Sequence, residues 1–116
     1  MLFDIERTTA AGQPALSVRG ELDVATAPQL TEAVESLLSQ RPHALVVDLA
    51  GTTFLDSSGA RCLALVARRA RAEEVALRVV CPSGNRPVRL VIDLLELQAL
   101  VPIVESAGLT EGEVGP

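Results

Sequence analysis

The stretch "FLDSSGARCLALVARRA", Phe54 to Ala70, sets two serines between an aspartate and a glycine. A serine does covalent chemistry only when a base takes its proton. The nucleophile elbow of serine hydrolases needs G-x-S-x-G. Here Ser58 has Asp56 two positions before it and Ser57 has Leu55, so the pattern fails. The one histidine, His43, stands in a loop before an apolar run, and a serine–histidine pair would have to be assembled from it alone. A phosphate-cradling loop needs GxxxxGK[ST], and the chain has no Gly-Lys and no lysine at all. A hard cation would require Asp23, Asp48 and Asp56 to be gathered from separate segments. Cys62 and Cys81 fit no metal spacing and no CxxC. They read as two buried reduced thiols, with a redox switch as the alternative. These residue types call for no cofactor and no metal, and they give the chain no catalytic group of its own.

The elements that must position the serines follow from periodicity. Phe3 and Ile5 alternate with Asp4 and Glu6, and Leu16 and Val18 with Ser17 and Arg19, which predicts two half-buried strands. Gly12 and Pro14 supply turn chemistry between them, so an N-terminal hairpin is expected. Thr26 followed by Gln29 reads as a capping box, and Pro28 suits a first helical turn. Leu30, Val34, Leu37 and Leu38 then fall on one stripe of a helix that ends before Pro42. Ala44 to Leu49 is apolar but for its end, the mark of a central strand covered on both faces. After the serine turn a helix is predicted from about Ser58 to Ala72. Val75, Leu77 and Val79 predict a further strand, Pro87 opens a helix with Val88, Val91, Leu94 and Leu95 on one face, and Val101 to Val104 makes an edge strand beside Pro102.

The predicted order is ββαβαβαβ. Strand–helix–strand units favour parallel pairing and right-handed crossovers, so an α/β fold results, one mixed β-sheet with helices packed on it. The chain has 116 residues, enough for one domain over 1–116. Its core is expected at about 3–104, with a Gly- and Glu-rich tail at 105–116 that frays. Aromatics make up only 2%, so the core must be aliphatic and base-stacking platforms are absent. A net charge of −5 argues against nucleic acid. The N-terminus is too short in apolar run for a signal peptide, and "LVIDLLELQALVPIV" is broken by Asp93, Glu96 and Pro102, so no membrane span is expected and the chain reads as cytoplasmic.

The serine turn has a bland reading. Asp56 or Ser57 caps the helix, and Gly59 lets the chain turn closely. The rest of the helix offers more. At about 100° per residue, Leu63, Val66, Ala67 and Ala70 form a core stripe. Opposite lie Arg61, Leu65 and Arg68, with Arg69 and Arg71 on the flanks. Arginines around a small apolar anchor resemble interface composition and suit an acidic protein partner; a merely solvated basic face is the other reading.

"GELDVATAPQL" followed by "VVDLAGTTFLDSSGARCL" resembles the anti-sigma factor antagonists of the STAS domain family. The resemblance runs from about Phe3 to Val104. It implies a mixed sheet with helices on it, in agreement with the order above. It also implies that Ser58 is the phosphoacceptor of an anti-sigma factor with serine-kinase activity. Asp23 of the G-E-L-D motif is then near that serine, and Asp56, Ser57 and Gly59 shape its turn. The unphosphorylated form is expected to bind the anti-sigma factor and free its sigma factor, and a serine phosphatase to reset the switch. The alternative reading is a STAS domain that acts as a docking module in a stress-signalling scaffold or a lipid-transport complex, and an enzyme or small-ligand binder using Asp23, Asp48 and Asp56 is a further alternative. Relatives often carry Gly-Leu-Gly or a similar small apolar run after the turn; here it is Ala60-Arg61-Cys62, which alters the docking face. Relatives also tend toward a longer final helix, which Gly108, Gly112 and Gly115 oppose here.

Overall fold

The computed structural model describes residues 3–108. Strands β1 (Asp4–Ala10) and β2 (Gln13–Leu22) form the predicted antiparallel hairpin. Its two-residue turn puts Ala11 at φ 52 and Gly12 at φ 78, the left-handed pair that a tight hairpin needs. Helix α1 (Ala27–Leu38) follows, then β3 (Ala44–Asp48) and β4 (Thr52–Leu55). Helix α2 (Ser57–Ala72), β5 (Ala76–Val80), α3 (Arg86–Leu94), a 3-10 turn at Leu97–Ala99 and the edge strand β6 (Ile103–Val104) complete the order.

The sheet runs β1-β2-β3-β5-β6, antiparallel only in the hairpin. The predicted order is therefore one strand short. "ALVVDLAGTTFL" holds two strands, split by a turn in which the Ala50 N–H donates to Asp48 Oδ1 at 2.9 Å and the Thr52 N–H to Leu49 O at 3.0 Å. Ten-residue β2 serves both of them. Its first half pairs with β3 (Ala15 opposite Val46) and its last residues with β4 (Leu22 opposite Leu55), the register shifting at Gly20 and Glu21. The Thr52 hydroxyl, buried, donates to Val18 O at 2.7 Å and locks β4 to β2.

Helices α1 and α2 cover one sheet face. Leu30, Val34, Leu37 and Leu38 of α1 and Leu63, Val66, Ala67 and Ala70 of α2 are buried as the stripes predict. They join Leu16, Val18, Leu22, Leu45, Val47, Leu55 and Val79 in one aliphatic core. Alternation sends Ala15, Val46, Val80 and Val104 to the other face, where they form a smaller cluster.

Two local expectations are corrected. Thr26 precedes α1 but makes no side-chain cap. Its hydroxyl instead donates to Glu21 O at 2.7 Å and accepts from the Asp23 N–H at 2.9 Å, so it closes the β2–α1 loop. In α3, Val88 and Ile92 are the buried pair, while Leu94 and Leu95 are exposed. The start of the Gly- and Glu-rich tail is tied down. Glu105 accepts from the Ser83 N–H and hydroxyl and pairs with Arg89 at 2.6 Å. Burial aside, those hydrogen bonds and the guanidinium hold its carboxyl below the usual carboxylate range. Gly112, Gly115 and the final-helix question lie outside the described residues.

Candidate functional site: the serine turn

Strand β4 delivers the chain to the start of α2. Asp56 is the N-cap, in extended conformation, and its Oδ1 accepts from the Gly59 N–H at 2.9 Å. Asp56 O accepts the first helical bond from the Ala60 N–H at 2.9 Å. Of the two caps the sequence allows, Asp56 is the one used. Ser57 is exposed and Ser58 half-buried in the first turn, and the N–H groups of this turn are donors that the helix itself does not use.

Gly59 makes this geometry possible. A Cβ there would press on the Leu22 carbonyl oxygen and stand 2.7 Å from Leu55 Cδ1. The Asp56 N–H also reaches Leu22 O, at 3.4 Å. The G-E-L-D segment at the end of β2 thus lies against the serine turn, and Asp23 follows the contacted residue. Asp23 Oδ1 accepts from the N–H groups of Ala25 and Thr26 at 3.0 and 3.1 Å and from the Thr26 hydroxyl at 3.2 Å. The two motifs, distant in sequence, pack against each other at Leu22 and Gly59.

Other candidate chemistry is dispersed. Asp23, Asp48 and Asp56 each serve their own turn, and among the described residues no three His, Cys, Asp or Glu side chains could hold a metal together. His43 precedes the far end of β3. Register along β2 separates Ala44 from Leu55 by about nine residues, on the order of 30 Å, so no serine–histidine pair forms. Cys62 and Cys81 are free and buried. Burial pushes both thiols up; the Thr31 hydroxyl partly opposes this at Cys62, and Arg89 does so at Cys81.

On α2, Arg61, Leu65 and Arg68 face outward as the helical wheel predicts. Arg69 does not stand free. It pairs with Glu35 of α1 at 3.0 Å and with Glu73 at 3.6 Å, so it laces the two helices. A shallow groove of about 350 Å³ lies between α1 and α2, lined by Thr31, Glu35, Leu65, Arg68, Arg69 and Ala72. Two exposed apolar residues next to the motifs in sequence were left unassigned by sequence reasoning. Val24, beside Asp23, is 72% exposed, and Phe54, two residues before Asp56, is 45% exposed. Phe54 could have been found: its neighbour Leu55 is core, so Phe54 must face away.

Residues 5–105 match the family model described as "Mlab, STAS domain". The chain belongs to the STAS domain family. The anti-sigma-F factor antagonist RsfB of Mycobacterium tuberculosis is 36% identical over 81 residues, 68% of this chain and 66% of that relative, a little under two thirds of its length. The crystal structure of an anti-sigma factor antagonist from Mycobacterium paratuberculosis superposes with a TM-score of 0.80 at 29% identity, covering 92% of this chain and 89% of the other. SpoIIAA in its unphosphorylated form shares the fold at a TM-score of 0.64 and 19% identity, over 92% and 91% of the two chains. Among the described residues no helix is long and apolar enough to cross a membrane.

Proposed function

We propose that this chain is an anti-sigma factor antagonist whose docking surface is switched by phosphorylation of Ser58. The observation that carries the reading is the construction of the serine turn, with a half-buried serine held at a helix start by Asp56 and Gly59 against the G-E-L-D segment. The likeness to two named antagonists supports the partner class. The unphosphorylated protein binds an anti-sigma factor with serine-kinase activity, and the sigma factor is released. A serine phosphatase reverses the modification. Ser58 is the substrate of that kinase, so the chain itself is no enzyme; it works in the cytoplasm as one domain.

Phosphorylation adds about −1.5 to −2 charges. At the start of a sixteen-residue helix this favours the fold slightly, by about 0.3–1 kcal/mol, because unused N–H groups and the helix dipole attract an anion. The effect therefore falls on the partner. A hydrated dianion one helical turn before the exposed Arg61 must lose water when a protein docks there. An acidic partner, chosen by Arg61 and Arg68, adds repulsion. A penalty of about 3–4 kcal/mol weakens binding several-hundred-fold.

Pull-downs with wild-type and Ser58→Asp baits test this. The wild type is expected to capture an ATP-binding anti-sigma factor that Ser58→Asp loses, while Ser58→Asp melts no lower than the wild type. Equal capture of one partner by both baits would assign the chain to a constitutive docking role in a scaffold or transport complex.

A further inference from the structure

Helix α3 is apolar on two sides. Val88 and Ile92 are buried, yet Leu90 and Leu94 are 59% and 70% exposed. At about 100° per residue, Arg86, Leu90, Asp93 and Leu94 share one outward stripe about 100° wide. Asp93 lies two turns beyond Arg86, with Leu90 close to midway. These charges run against the helix dipole, basic at the N-terminal end and acidic at the C-terminal end, so they do not serve α3 itself. Neither takes part in the ion pairs found among the described residues, whereas Arg89, on the flank, is committed to Cys81 O and Glu105.

The pattern is complementary to itself. If a second α3 is laid antiparallel across a two-fold axis near Leu90, Arg86 comes level with Asp93 of the second copy, and the reverse pair forms by symmetry. Leu90 then meets Leu90, and each Leu94 lies over the first turn of the opposite helix. We propose that α3 is a self-association surface on which two copies of this chain pair antiparallel through Leu90 and Leu94, with two reciprocal Arg86–Asp93 ion pairs setting the register. A nine-residue helix is only about 13 Å long, so the contact falls well below the size of stable interfaces and the dimer is weak and transient.

Sedimentation velocity of the full chain from about 10 µM to about 1 mM tests the proposal, over the range in which sub-standard interfaces associate. The wild type is expected to shift from monomer toward dimer, and Leu90→Glu to remain monomeric throughout. Arg86→Asp and Asp93→Arg each turn both reciprocal ion pairs into like-charge contacts, so each should weaken association by about tenfold or more, and the double swap should restore it. Circular dichroism checks that each variant is folded. Ser58→Asp should dimerise like wild type, which keeps this surface separate from the serine switch. A wild type that is monomeric across the range overturns the proposal. So does Leu90→Glu dimerising normally, or a double swap that rescues nothing. If Leu90→Glu instead abolishes capture of the anti-sigma factor by a monomeric wild type, α3 belongs to that interface and self-association is rejected.

Discussion

Gly59 decides the shape of the serine turn, and two opposed effects meet there. Alanine is the better helix former by about 0.5–1 kcal/mol. Its Cβ, however, would press on the Leu22 carbonyl oxygen, a backbone atom pinned in the sheet, and stand 2.7 Å from Leu55 Cδ1. Overpacking of this kind costs about 1–3 kcal/mol. The clash wins, so Gly59→Ala is expected to lower the urea midpoint and to weaken partner binding through displacement of Ser58. A variant as stable as wild type would mean that α2 can slide away from β2 at no cost. Asp56 was legible in the sequence as one of two candidate caps, because a cap is a local matter settled within four residues; the contact with Leu22 O that requires Gly59 is brought in by the fold. Thr26 and Arg69 were not. The hydroxyl of Thr26 finds Glu21 O, and the guanidinium of Arg69 finds Glu35 on α1. Both partners are brought in by the fold, and periodicity carries no word of them.

At the scale of elements, Asn85 is the joint between α3 and the β3–β4 turn. It stands at the N-cap position of α3 yet caps nothing with its side chain. Its amide nitrogen donates to Leu49 O at 3.0 Å and to Thr52 O at 2.8 Å, so the helix is fastened to both ends of the turn before β4. Asn85→Ala removes one donor from each of two part-buried carbonyls, leaving Leu49 O with only the Thr52 N–H, at about 1–3 kcal/mol. The expected result is a lower melting temperature together with faster amide exchange in 49–55. Asn85→Asp should be worse than alanine, since a carboxylate would face two carbonyl oxygens. Exchange unchanged in both variants would show that α3 does not brace β4. This joint also explains what sequence reasoning missed. The split of "ALVVDLAGTTFL" into β3 and β4 depends on β2 being long enough to pair with both, a relation between distant segments. The exposed side of α3 was misjudged because both of its faces are apolar, and only the packed fold selects Val88 and Ile92. Helices α1 and α2 each bury one face, and there the period of 3.6 was enough.

The whole molecule has an unusual alkaline titration. The chain contains no tyrosine and no lysine; all ten of its basic residues are arginine, and the guanidinium stays charged far above neutral pH. Between about pH 8 and 11 the side chains that lose protons are therefore the two cysteines, and both are buried. Burial pushes each thiol above the ordinary value of 9.0, because a thiolate in the aliphatic core beside α1, or beneath the 82–85 turn, loses its hydration. The sign follows directly. A folded-state value above the unfolded one means that the folded protein holds the proton more tightly. That contribution is fully present below the unfolded thiol value and is lost as the pH climbs through the raised folded value. Within that window each thiol can remove up to about 1.4 kcal/mol per pH unit. Urea unfolding of the wild type should therefore be flat from about pH 6 to 8 and fall steeply above about pH 9, the region of thiol ionisation. The double variant Cys62→Ala, Cys81→Ala should start lower, having lost buried sulfur, yet decline less over the same interval. The comparison turns on slope rather than on starting stability. Parallel declines in the two proteins would place the alkaline loss elsewhere, in the self-repulsion of a chain that already carries −5 at neutral pH.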